Sequence, residues 1–84
     1  MVITPDVLVE VFETILKNSG LDFEKTLYKG YDTVFEVNGD ENTFLNVYQS
    51  LYLATPLCYN VEEFDGFEFK VFDKGYEFIN VRRK

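Results

Sequence analysis

The chain has 84 residues, about the size of one domain, and carries fifteen Asp and Glu against eight Lys and Arg, a formal net charge of -7. An excess of this sign repels nucleic acid and anionic membranes and favours basic surfaces or cations as partners. With no histidine and one cysteine, Cys58, the chain lacks the usual general base, the commonest metal ligand, any Cys/His zinc set and any internal disulfide.

Aromatic residues, nine Phe and six Tyr, make up 18% of the chain, enough ring area to build a dense core from few residues. No apolar run reaches membrane-spanning length, and no basic segment leads into an apolar one at the start of the sequence. A reducing, cytoplasmic setting (a bacterial or an infected host cell) is therefore the expectation.

Thr4-Pro5-Asp6 opens a helix. Thr4 supplies a capping hydroxyl, Pro5 has the φ of a first helical position, and Asp6 suits the positive end of the helix dipole. Leu8, Val11, Phe12, Ile15 and Leu16 recur at helical spacing, with Asp6, Glu10, Glu13 and Lys17 on the other side. Gly20 ends the helix as a left-handed residue, and Leu21 folds back on Leu16.

A hairpin follows, with Tyr28-Lys29-Gly30 as a three-residue loop. Tyr31 then opposes Leu27, Thr33 opposes Lys25, Phe35 opposes Phe23 and Val37 opposes Leu21. The other face carries Asp22, Glu24, Thr26, Tyr28, Asp32, Val34 and Glu36. Asn38-Gly39 turns the chain, and Asp40 or Asn42 caps a second helix that runs to about Leu53 and is stopped by Pro56. Phe44, Val47, Tyr48, Leu51 and Tyr52 would face inward. Leu45, Val47, Leu51 and Leu53 also fit a period of two, so a strand remains the alternative there.

Residues 57–64 read as a further strand, turned by Asp65-Gly66 into a second hairpin around Asp73-Lys74-Gly75. A three-residue loop pairs Phe72 with Tyr76, Lys70 with Phe78 and Glu68 with Asn80, and gathers Phe67, Phe69, Val71, Ile79 and Val81 on one face. A two-residue loop would set Ile79 and Val81 against Glu68 and Lys70. The order α-β-β-α-(β)-β-β specifies an α+β fold in one domain, residues 1–84. It is an antiparallel sheet of four or five strands, in two hairpins, with two helices on one face.

Catalytic signatures are weak. Cys58 has no His partner and reads as a buried structural thiol. Pro5-Asp6 with Glu68-Phe69-Lys70 mimics a PD…ExK nuclease pattern, but the helix start already accounts for Pro5-Asp6. Asn38 to Asn42 resembles part of a calcium loop, without its glycine at position six or its acid at position twelve. Neither an enzyme nor a cofactor or metal site is expected. Arg82-Arg83-Lys84 reads as a solvated tail rather than a nucleic-acid contact.

The first hairpin poses the functional question. Asp22 falls opposite Glu36, with Glu24 and Asp32 on the same face and no base between them, an arrangement that costs sheet stability. One use for such carboxylates is to protect an exposed strand from unwanted pairing. Another is to dock a basic groove, since alternate residues on a strand lie about 6.6 Å apart, near the spacing of successive phosphates.

Small acidic surfaces with aromatic anchors resemble those of DNA-mimic proteins, often phage-encoded, which occupy the nucleic-acid clefts of host enzymes. That resemblance implies a non-enzymatic inhibitor of a basic, nucleic-acid-binding protein, docking through Asp22, Glu24, Tyr28, Asp32 and Glu36. The alternatives are an antitoxin- or immunity-type partner of one basic protein, or an assembly subunit. The subunit would self-associate, as a homodimer for instance, through Phe72, Tyr76 and Phe78 on the outer face of the second hairpin.

Overall fold

Thr4 caps the first helix, its hydroxyl accepting from the Val7 amide at 3.4 Å. The computed structural model describes residues 3–28, 32–64 and 66–84, with only the backbone of Phe64. Helix α1, Pro5–Asn18, buries Leu8, Phe12 and Leu16 completely. It ends as the sequence expects, with Gly20 at φ 77° and its amide bonded to the Lys17 carbonyl at 3.3 Å. Only half of the usual two-bond Schellman closure forms. The Ser19 hydroxyl donates to the Leu16 carbonyl at 2.6 Å, taking the acceptor that the second backbone bond would use.

Strands β1, Phe23–Tyr28, and β2, Asp32–Val37, form the first hairpin. The register is two residues from the expected one: Phe23 opposes Val37, Lys25 opposes Phe35, and Tyr28 opposes Asp32. The expected loop at Lys29 and Gly30, and the Tyr31 pairing, lie outside the described residues. A shift of two preserves every side chain's face, so the division into apolar and acidic sides stands. The Phe23 and Phe35 rings still meet diagonally, 5.9 Å apart.

The 40–54 region is helical. Asp40 accepts from both the amide and the hydroxyl of Thr43, at 2.8 and 2.7 Å, and α2 runs from Glu41 to Ala54. Phe44, Val47 and Leu51 are buried and Tyr48 half-buried, whereas Tyr52, expected inward, is 54% exposed. The Thr55 hydroxyl donates to the Leu51 carbonyl at 2.7 Å and closes the helix. The next strand, β3, starts later than expected and spans Asn60–Phe64.

The second hairpin joins β4, Glu68–Asp73, to β5, Tyr76–Arg83, and corrects the expected loop. Asp73 pairs with Tyr76, so the turn has two residues, Lys74 at φ 52° and Gly75 at φ 84°. Two left-handed residues give the twist that flanking strands need. A bulge beside Phe72 then adds one residue to β5. It restores the faces, setting Ile79 opposite Val71 and Val81 opposite Phe69. The same bulge turns Phe78 into the core, 4% exposed, where its ring lies 5.0 Å from that of Tyr59.

The five strands form one sheet in the order β1-β2-β5-β4-β3. Three pairings are antiparallel as expected, and β2 with β5 is parallel, Thr33 opposing Ile79 and Val37 opposing Arg83. One sheet face, built from Phe35, Val37, Phe69, Val71, Ile79 and Val81, packs with Leu8, Phe12, Leu16, Phe44, Val47 and Leu51 of the helices. Phe69 anchors this layer, its ring 5.7 Å from Phe12 and 5.3 Å from Tyr48. The fold is thus α+β, two helices on one face of a mostly antiparallel five-stranded sheet.

Candidate partner-binding groove

The face away from the helices carries the predicted carboxylates, but not without bases. Register places Glu24, Glu36, Arg82 and Glu68 in one cross-strand row. Arg82 reaches Glu36 at 3.6 Å, and Lys84 reaches Glu24 at 3.3 Å. The like-charged pair directly across the hairpin is Glu24 with Glu36, not Asp22 with Glu36. The parallel β2–β5 pairing brings a base to each of these two carboxylates.

Arg82-Arg83-Lys84 is therefore no solvated tail. The Lys84 amide bonds to the Val37 carbonyl at 3.0 Å and the Arg83 amide to the Phe67 carbonyl at 2.9 Å. The Arg83 guanidinium lies 4.4 Å from the centre of the Phe67 ring. Asp22 is exposed just before β1, and its carbonyl accepts from the Asn38 amide. Glu24 of β1, like Glu62 and Glu63 of β3, lies on an edge strand, where charge discourages pairing with another chain.

Four of the other five predicted residues converge at the opposite end of the sheet. Because β2 and β5 run parallel, the turn ends of both hairpins lie together, beside the start of α1. An open groove of about 960 Å³ forms there. Tyr28 and Asp32, from the first predicted set, and Tyr76 and Phe78, from the second, all line it. Phe78 is buried and is not the exposed interface centre expected. Phe72, half-buried, lies outside the groove lining.

The groove combines apolar contact area with negative charge. Leu27 is 72% exposed, Tyr28 50% and Tyr76 78%. Asp6, Glu10, Asp32, Asp73 and Glu77 supply five carboxylates against two lysines among the described residues. One of those, Lys25, is held by Glu13 at 2.8 Å. Lys25 first, with Lys17, holds the Glu13 carboxyl below its ordinary range. No family model, curated protein or solved structure matches the chain.

Sequence reasoning missed Asp6, Glu10, Leu27, Asp73 and Glu77 as members of this site. They come from three separate segments, and only the parallel crossover unites them. Other expected features do not assemble. Asp6 lies on the helix side of the sheet while Glu68 and Lys70 lie on the far side, so the nuclease-like pattern is split. Lys70 is 3.6 Å from Glu68 and 3.8 Å from Glu77.

Asp40 is the helix cap, and its hydrogen bonds from Thr43 keep its carboxyl below the ordinary range. Cys58 is exposed rather than buried. Among the described residues no group of three or more acidic or cysteine side chains is arranged to hold a metal ion. Nor is any helix among them long and apolar enough to cross a membrane.

Proposed function

We propose that the chain is a small non-enzymatic binding protein that captures a basic segment of a partner protein, one that handles nucleic acid, in the groove at its hairpin tips. The observation that carries this reading is the placement of Leu27, Tyr28 and Tyr76, all exposed, among five carboxylates. An aromatic and aliphatic floor bordered by acids suits lysine and arginine side chains. Their methylene stems lie on apolar surface while their charged ends reach the rim. The partner's nucleic-acid-handling character rests on the net charge of -7, which favours a basic surface.

Affinity capture from a nuclease-treated bacterial lysate, released by a rising salt series, tests the proposal. A basic partner that elutes with salt is expected. Tyr76→Ala and Asp32→Lys should each lose it, while Glu24→Gln, at the neutralised end, should retain it. Capture unaffected by Tyr76→Ala and Asp32→Lys would overturn the groove as the site. Competition with DNA separates the two forms of the reading: a DNA mimic is displaced from its partner, and an antitoxin-type partner stays bound.

A further inference from the structure

Thr33 is the polar residue on the helix-facing side of β2, which it shares with Phe35 and Val37. It sits between Leu27 of β1 and Ile79 of β5. Only 4% of it is exposed, yet it lines the groove at the hairpin tips. Among the described residues its hydroxyl has no hydrogen-bond partner. The one side-chain polar atom there that is both sealed from solvent and unpartnered is Asn80 Oδ1. The Thr33 hydroxyl, equally without a partner, therefore opens into the groove. Packing does not call for it, because valine would fill the same space without a polar atom to satisfy.

The carboxylates around it are unpaired as well. Asp6, Glu10, Asp32 and Asp73 line the groove and make no ion pair among the described residues. The nearby ammonium of Lys25 is held by Glu13 at 2.8 Å. At the other end of the sheet, by contrast, Glu24 and Glu36 each have a base.

We infer, resting on the reading of this groove as the seat of a basic segment, that the side chain it takes is an arginine whose guanidinium donates to the Thr33 hydroxyl. A guanidinium carries five N–H donors in a planar fork, enough to serve the hydroxyl and carboxylates from α1 and β2 at once. It is also more weakly hydrated than an ammonium. It is therefore easier to desolvate against a floor where Thr33 and Phe78 are each only 4% exposed. A lysine ammonium, holding its water more strongly, stays with the carboxylates at the rim. The guanidinium plane further stacks on aromatic rings, and Tyr28 and Tyr76 stand exposed beside the groove.

Two blocked tripeptides, acetyl-Gly-Arg-Gly-amide and acetyl-Gly-Lys-Gly-amide, test this when titrated into isotope-labelled protein at about 0.15 M salt. Amide shifts report binding. The arginine peptide should bind about tenfold more tightly, as fits a hydrogen bond to a charged group, and should shift Leu27 and Thr33. Thr33→Val should lower its affinity to that of the lysine peptide, whose own binding changes little. Thr33→Ser, which keeps the hydroxyl, should keep the preference. Circular dichroism should be unchanged in both variants. Equal binding of the two peptides, or an arginine preference that survives Thr33→Val, would overturn the inference and leave the groove a site for basic segments. Groove residues unshifted by either peptide would overturn both.

Discussion

Replacing Arg82 by Gln removes the base that sits between Glu36 and Glu68 while keeping most of the side chain's stem. At 3.6 Å a unit ion pair attracts by about 1 kcal/mol even at the dielectric of water. Both side chains are partly exposed, so screening and side-chain entropy reduce the net value to about 0.5 kcal/mol. Removal also leaves Glu24 and Glu36, directly opposed, with Lys84 the one base still paired to them among the described residues, and opposed like charges cost about 0.2–1 kcal/mol. The expected loss is therefore about 1 kcal/mol, a fall in Tm of roughly 4–8 °C for a domain of this size.

Thermal unfolding at about 0.01 M and about 1 M salt checks it, since the screening length falls from about 30 Å to about 3 Å. The loss should shrink at high salt, and Glu36→Gln added to Arg82→Gln should recover most of it at low salt. A loss equal at both salt concentrations, or unrelieved by Glu36→Gln, would refute the electrostatic argument and leave packing of the Arg82 stem as the cause.

Phe69→Ala should cost about 3–5 kcal/mol, because its fully buried ring touches both helices; urea unfolding would show most of the stability gone. Lys74→Asn should raise Tm by a few degrees, since asparagine tolerates the left-handed backbone that lysine adopts at φ 52°. Stability should fall on acidification. Glu13 and Asp40 have folded-state pKa values below their unfolded ones, so their contribution is present above the unfolded values, near pH 4–5, and is lost as pH drops through the folded ones. It should also fall above about pH 10. Burial, with the Glu63 carboxylate beside Tyr48, raises the hydroxyl pKa values of Tyr48 and Tyr59, so the unfolded state loses those protons first. Titrations followed by circular dichroism would check both limits.

Periodicity and capping chemistry made much of the fold legible. The stripe Leu8-Phe12-Leu16, the Thr4 and Asp40 caps and the left-handed Gly20 are local signals, each read from a few neighbouring residues. The faces of both hairpins were also legible, because parity survives errors that are even or compensated. The first register is off by two, and the second turn is one residue shorter but is offset by a bulge. Parallel pairing of β2 with β5 was not legible, since it depends on how α2 and the β3–β4 segment route the chain. That pairing brings Arg82 to Glu36 and gathers the hairpin tips into one groove, so the site was only half visible. Tyr28, Asp32 and Tyr76 carry a local signal in the sequence, whereas their neighbours from α1 and from the second turn join them only through the tertiary fold.

The middle strand of the sheet, β5, is also the last in chain order. In vectorial synthesis both helices and the other four strands precede, in chain order, the strand that joins them. Until residues 76–83 follow, β2 and β4 each present an unpaired edge, and Phe35 and Phe69 lack the central strand between them. The nascent chain can form its first hairpin and its helices, but the sheet closes in a single late event across a sequence separation as wide as Thr33 to Ile79. A chain in which β5 has not yet inserted is therefore open and aggregation-prone, and any delay in that insertion prolongs the exposure.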